Sequence, residues 1–113
     1  MNKIKGSIKL FFAFIIFSNT LASDHPDRIL FVGNSYLYYN DSMHNHVEKM
    51  LIEHYGDNEI ATKSATIGGS KLHNHNIDHL LDFKNLQLKG PIDLLIMQGA
   101  STEVKTQKSR EKF

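Results

Sequence analysis

Three apolar runs, spaced by stretches long enough for a helix and each followed by a loop of glycine, hydroxyl or amide residues, are the feature that most limits what this chain can fold into. The first run is Ile29-Leu30-Phe31-Val32, ahead of Gly33-Asn34-Ser35-Tyr36. The second and weaker one lies over Glu59 to Ala65, where Ile60 and Thr62 carry a moderate strand signal, ahead of Thr66-Ile67-Gly68-Gly69-Ser70. The third is Ile92-Asp93-Leu94-Leu95-Ile96-Met97, ahead of Gln98-Gly99-Ala100-Ser101-Thr102. Strands covered on both faces read as such runs rather than as strict alternation. Between the first two, Met43, Val47, Met50, Leu51 and His54 recur at helical spacing. They predict an amphipathic helix over 42–55, with Asp41 or Ser42 as N-cap and Gly56 as C-cap. Leu72, Ile77, Leu80 and Leu81 predict a second helix over about 71–83, with Lys89-Gly90-Pro91 as its break. The order β-α-β-α-β argues an α/β fold with a parallel sheet. Three strands and two helices make roughly half of a usual doubly wound domain.

The first 22 residues stand apart. Lys3, Lys5 and Lys9 precede an unbroken apolar run of eight residues, Leu10 to Phe17, and Thr20-Leu21-Ala22 offers small residues where a signal peptidase reads. This is a secretory signal pattern, and the run is too short to span a bilayer. A mature chain from Ser23 or Asp24 keeps ten Lys and Arg against twelve Asp and Glu, a net of about −2, so the apparent basicity of the whole chain belongs to the leader. No nucleic-acid footprint remains. The absence of cysteine excludes disulfides, a thiol nucleophile and thiolate metal sites. The expected location is secreted or periplasmic.

The three loops carry the chemistry. In a parallel sheet all of them lie at the carboxyl edge, where open α/β sheets place ligands. They offer one hydroxyl to attack, that of Ser35, and glycine N–H groups to bind a developing oxyanion, a composition that suits acyl transfer. Tyr36, Tyr38 and Tyr39 cluster beside Ser35, at a pocket or simply at a packed rim. A phosphate cradle built on Gly33-Asn34-Ser35 is a competing reading. It ranks lower because the nearest good helix cap is Asp41 or Ser42 rather than the loop itself.

The stretch Ile29 to Tyr36 resembles the first block of the SGNH, or GDSL-type, hydrolases, in the branch with Gly-Asn-Ser and an aromatic. Ala65 to Leu72 is similar to the second block, and Leu94 to Ser101 to the third. The resemblance implies a three-layer α/β/α flavodoxin-like fold, with residues 23–113 as its N-terminal part. It implies Ser35 as nucleophile with its own N–H in the oxyanion hole, Gly68 as a second donor, and Gly69 as the alternative if the register slips by one. Asn34 and Tyr36 would face the substrate. The family's third-block Asn is absent here, since Gly99-Ala100-Ser101-Thr102 holds its place, and Gln98 or Ser101 are the candidate replacements. The expected substrate is a small carboxyl, lipid or carbohydrate O-acetyl ester, with no cofactor and no metal. The family's late Asp-x-x-His block does not occur, so truncation is expected, along with weak or absent activity and self-association through exposed sheet surface. The other class open to such a chain is a non-catalytic remnant or a small-ligand-binding α/β module.

Seven histidines remain to be placed. His44 and His46, and His73 and His75, form His-x-His pairs, and His75 and His79 would share a face if they lie on one helix. A solvated loop or a packing role is the plainer reading of each. His75 also resembles a histidine that often follows the second-block glycines. Asn40-Asp41-Ser42 fits a glycosylation sequon.

Overall fold

A computed structural model describes residues 23–112. The secretory leader expected over residues 1–22 lies outside the described residues. Strand β1 runs Arg28–Gly33, helix α1 Ser35–Tyr38, helix α2 Met43–Tyr55 and strand β2 Ala61–Thr66. A 3-10 turn at Leu72–Asn74, helix α3 Ile77–Leu81 and a second 3-10 turn at Phe83–Leu86 follow. Strand β3 is Leu94–Met97, then come a 3-10 turn at Ser101–Val104 and helix α4 Gln107–Arg110. Among the described residues no helix is long and apolar enough to cross a membrane.

The sheet is three-stranded and all parallel, in the order β2-β1-β3, as the alternation of runs predicts. Parallel strands need crossover connections of a dozen or more residues, and both links supply them. β1 takes the centre, between β2 and β3. Ile29, Leu30, Phe31 and Val32 are all essentially inaccessible to solvent, which is what a run without alternation requires. Ile29, Phe31 and Leu37 form the core, with Val47 and Leu51 of α2 and Ile96 of β3 packed against it. β3 is apolar along its whole length but less covered: Leu94 and Met97 are exposed. Its ladder starts at Leu94 rather than at the expected Ile92, although Asp93 N already donates to Arg28 O at 3.0 Å. The Asp93 carboxylate accepts from the N–H groups of Asp27 and Arg28, both at 3.0 Å, and fastens the start of β1 to the third run. β2 likewise starts at Ala61 rather than Glu59, although Ile60 is buried.

Helix α2 starts one residue after the predicted 42 and has the predicted end and C-cap: Gly56 is left-handed at φ 65°, and its N–H reaches Ile52 O at 2.8 Å. Its buried face is rotated from the expected one. Met43 and Met50 are exposed, whereas Glu48 turns inward to accept from the Thr62 N–H (2.7 Å) and hydroxyl (3.0 Å). A polar residue in β2, Thr62, thus pulls the helix toward a polar partner. Ser42 is the N-cap residue by position, but its side chain makes no capping bond.

Two local expectations are corrected. The helix predicted over 71–83 is broken into a turn, the five-residue α3 and another turn. Asn74 Oδ1 accepts from Lys71 N, Asn76 Oδ1 from His79 N, and Asp82 Oδ1 from Lys84 N. Each is a short polar side chain offering the backbone a local alternative to a continuous helix. And a helix does start directly at the first loop: Asn34 is the N-cap of α1, accepting from Tyr36 N at 3.2 Å.

Candidate functional site

The ends of the three strands are tied together by hydrogen bonds that begin in the ladders and continue past them. Gly33 O accepts from Ile67 N at 3.1 Å, and Val32 O accepts from Gln98 N at 2.8 Å. Asn34 then links all three loops. Its N–H donates to Gln98 Oε1 (3.1 Å), its Nδ2 donates to Ser70 O (3.1 Å), and its Oδ1 caps α1. With every polar group used and only 4 % of its surface exposed, Asn34 is the keystone of the loops, whereas the resemblance implies a substrate-facing role for it.

This arrangement explains Gly33. A Cβ at that position would lie 2.7 Å from Gln98 Oε1 and 2.7 Å from Leu37 Cδ1. The strand can therefore meet both the third loop and α1 only where no side chain intervenes. The second loop is a tight turn in which Ser70 N donates to Ile67 O at 3.1 Å, with Gly69 at φ 68° in its third position. That position demands a positive φ in a type II turn.

Ser35 opens α1 immediately after this junction, half-buried, with its N–H toward the start of the helix, where no intrahelical acceptor exists. Among the described residues, the N–H groups of Ser35, Gly68 and Gly69 donate to no protein acceptor. A Cβ on Gly68 would lie 3.2 Å from Tyr38 Oη, which sets the second loop beside α1. Tyr36 and Tyr39 are exposed and Tyr38 partly so. The edge thus presents a hydroxyl, three unengaged backbone donors and a rim of phenol rings.

The proposed third-loop donors fare differently. Gln98 accepts from Asn34 N with Oε1 and donates one Nε2 hydrogen to the Gly99 carbonyl, so its amide ties the third loop to the first. Ser101 is exposed at the start of its 3-10 turn. The serine that does meet a histidine is Ser70, whose Oγ lies 3.1 Å from His75 Nε2 and 3.3 Å from Gly33 O. Ser70 is buried, so this pair braces the second loop against β1. No histidine is hydrogen-bonded to Ser35 Oγ among the described residues. His75 precedes α3 rather than lying on it, so His75 and His79 do not form an i, i+4 pair on one helix. His46 Nε2 is held by Asn40 O at 2.6 Å.

One residue of the site is not singled out from the sequence. Glu103 is 2 % exposed. Its carboxylate accepts from Leu72 N at 3.1 Å and from Ala100 N, and so holds the segment after the second loop against the third. The second of these bonds is the backward half of a capping box, the one local signal that a sequence could carry.

No family model matches the sequence, and no curated protein and no solved structure is detectably similar to the chain.

Proposed function

We propose that this chain carries the nucleophile and oxyanion half of an exported ester hydrolase of the SGNH type. The observation that carries the reading is the half-buried Ser35 at the carboxyl edge of a parallel sheet, where its own N–H and those of Gly68 and Gly69 in the neighbouring loop have no backbone acceptor among the described residues. In that chemistry Ser35 Oγ attacks the ester carbonyl carbon. The carbonyl oxygen becomes an anion that the N–H groups of Ser35 and Gly68 or Gly69 stabilise. The tetrahedral intermediate collapses with loss of the alcohol, and water then cleaves the acyl-serine. A base must take the hydroxyl proton, since a free serine is a weak nucleophile. With no histidine on Ser35 Oγ, turnover by the chain alone is expected to be weak or absent.

Free imidazole in solution supplies the missing function chemically and makes the reading testable. With a short activated ester, the wild-type chain plus imidazole is expected to exceed imidazole alone, and Ser35→Ala is expected to remove the excess. Equal rates for the two proteins at every imidazole concentration would favour a second reading, a small-ligand-binding α/β module. The unpaired Ser35 hydroxyl is the observation that keeps that reading open. A phosphate cradle is less well supported, although α1 starts at the loop: the Asn34 N–H and the Tyr36 N–H are already taken by side chains.

Export is part of the proposal and rests on the leader pattern. Mass spectrometry of protein from the producing cell should show loss of about 22 residues, in keeping with the ordinary length of such leaders. A chain that retains Met1 in a membrane fraction would reject cleavage.

A further inference from the structure

At the opposite end of β1, away from the loops, a histidine and two carboxylates converge without satisfying one another. His25 Nδ1 lies 3.1 Å from Asp27 Oδ1, and His25 Nε2 lies 3.6 Å from Asp57 Oδ2. The first contact lacks hydrogen-bond geometry and the second is too long for a hydrogen bond. His25 Nδ1 and Asp27 Oδ1 are both fully buried and have no hydrogen-bond partner. Buried polar atoms are normally satisfied, and an unplaced ion is one of the recognised reasons when they are not. The imidazole is fixed rather than loose: its side chain is 12 % exposed and its ring stacks on Tyr55 at 4.1 Å between centroids.

We infer that His25, Asp27 and Asp57 form a binding site for one divalent transition-metal cation, with Zn²⁺ the ion that fits the donors best. One ligand atom from each residue can be chosen so that all lie within 4.8 Å of one another. Ligands at zinc–nitrogen and zinc–oxygen distances around a tetrahedral ion stand about 3.4 Å apart, so the cluster needs only small side-chain rotations to close. One imidazole nitrogen with two carboxylates suits zinc better than magnesium or calcium, which take oxygen alone. Two carboxylates and a neutral imidazole also balance the charge of the ion. An open groove of about 690 Å³, lined in part by His25 and Asp27, gives a path to the site and room for water to complete the coordination. The ligands come from the segment before β1 and from the connection after α2. A bound ion would therefore fasten the start of the central strand to the end of the long helix, a structural role independent of Ser35.

Zinc titration of the full chain by calorimetry, with thermal unfolding measured alongside, tests this. The expected result is one zinc per chain, a rise in unfolding midpoint, and no comparable response to Mg²⁺. Asp57→Asn and His25→Gln should each weaken binding by about tenfold or more and abolish the rise in midpoint. Asp57→Asn keeps the shape of the side chain, so it remains informative if His25→Gln folds poorly. The double substitution His73→Gln with His79→Gln should leave binding intact. The inference is overturned by unchanged affinity in Asp57→Asn, by loss of binding in the His73 and His79 variant, or by no zinc uptake at all.

Discussion

Gly33→Ala is expected to destabilise the chain by about 3 kcal/mol, at the upper end for overpacking a well-filled interior. The new Cβ would meet Gln98 Oε1 and Leu37 Cδ1, each at 2.7 Å, and Gln98 Cβ at 3.1 Å. Neither neighbour can retreat cheaply. Gln98 Oε1 is held by Asn34 N, and Leu37 is part of the core with Ile29 and Phe31. Moving the glutamine breaks the link between the first and third loops, and moving the leucine lifts α1 from the sheet. A domain of this size typically has only about 5–10 kcal/mol of stability in hand, so the loss should be plain in urea unfolding followed by far-UV circular dichroism. Gly68→Ala is the matched comparison. Its Cβ meets only the Tyr38 hydroxyl at 3.2 Å, the far end of a partly exposed side chain that can swing away. It should cost less than about 1 kcal/mol, within the usual range for surface substitutions free of core contacts. Equal unfolding midpoints for Gly33→Ala and Gly68→Ala would show that the first and third loops do not meet as described.

The contrast between these glycines also marks what a sequence can and cannot reveal. β1 is legible as a buried strand because its four consecutive apolar residues end at a glycine, but its central place is not, since β3 carries an equal run at the sheet edge. The parallel order was legible because the runs are separated by lengths that only crossovers use. α1 was not: a four-residue helix is barely one turn, too short for an apolar pattern to repeat, and two of its residues, Tyr36 and Tyr38, resemble a rim. The segment over 71–83 has helical spacing, yet Asn74, Asn76 and Asp82 each divert the backbone, and spacing alone does not weigh such competition. The bridging role of Asn34 is hidden for a different reason. Its partners lie at positions 70 and 98, and only the assembled sheet edge shows that every polar group it has is already used. The same holds for His25 and Asp57, which are brought together by β1 and α2 rather than by any local pattern. β3 shows the converse limit. Its composition is as apolar as that of β1, but its edge position leaves Leu94 and Met97 in contact with solvent.

Glu103→Ala is expected to have the largest effect of any substitution in the polar stretch after β3. At 2 % exposure the carboxylate is out of water, and no lysine, arginine or histidine pairs with it among the described residues. Its support is instead the N–H of Leu72 and the N–H of Ala100. Removing the side chain leaves both half-buried donors without their acceptor, and each such loss costs about 1–3 kcal/mol. The sum, roughly 2–6 kcal/mol, corresponds to a fall in unfolding midpoint of about 10 °C or more for a chain of this length. Surface acids such as Glu111 offer the control, since replacement there should move the midpoint by no more than about 3 °C, in line with surface effects of half a kcal/mol. Glu103→Gln should fall between them: one amide oxygen can keep one N–H, but the amide nitrogen then faces a second donor. Global stability alone would not separate this account from a general packing defect, so the decisive measurement is local. Amide hydrogen exchange at Leu72 and Ala100 should be slow in the wild type and accelerate together in Glu103→Ala, in conditions where β1 amides remain protected. Fast exchange at both positions in the wild type would remove the clamp. Independent acceleration of only one would mean that Glu103 closes its own turn without joining the second loop to the third.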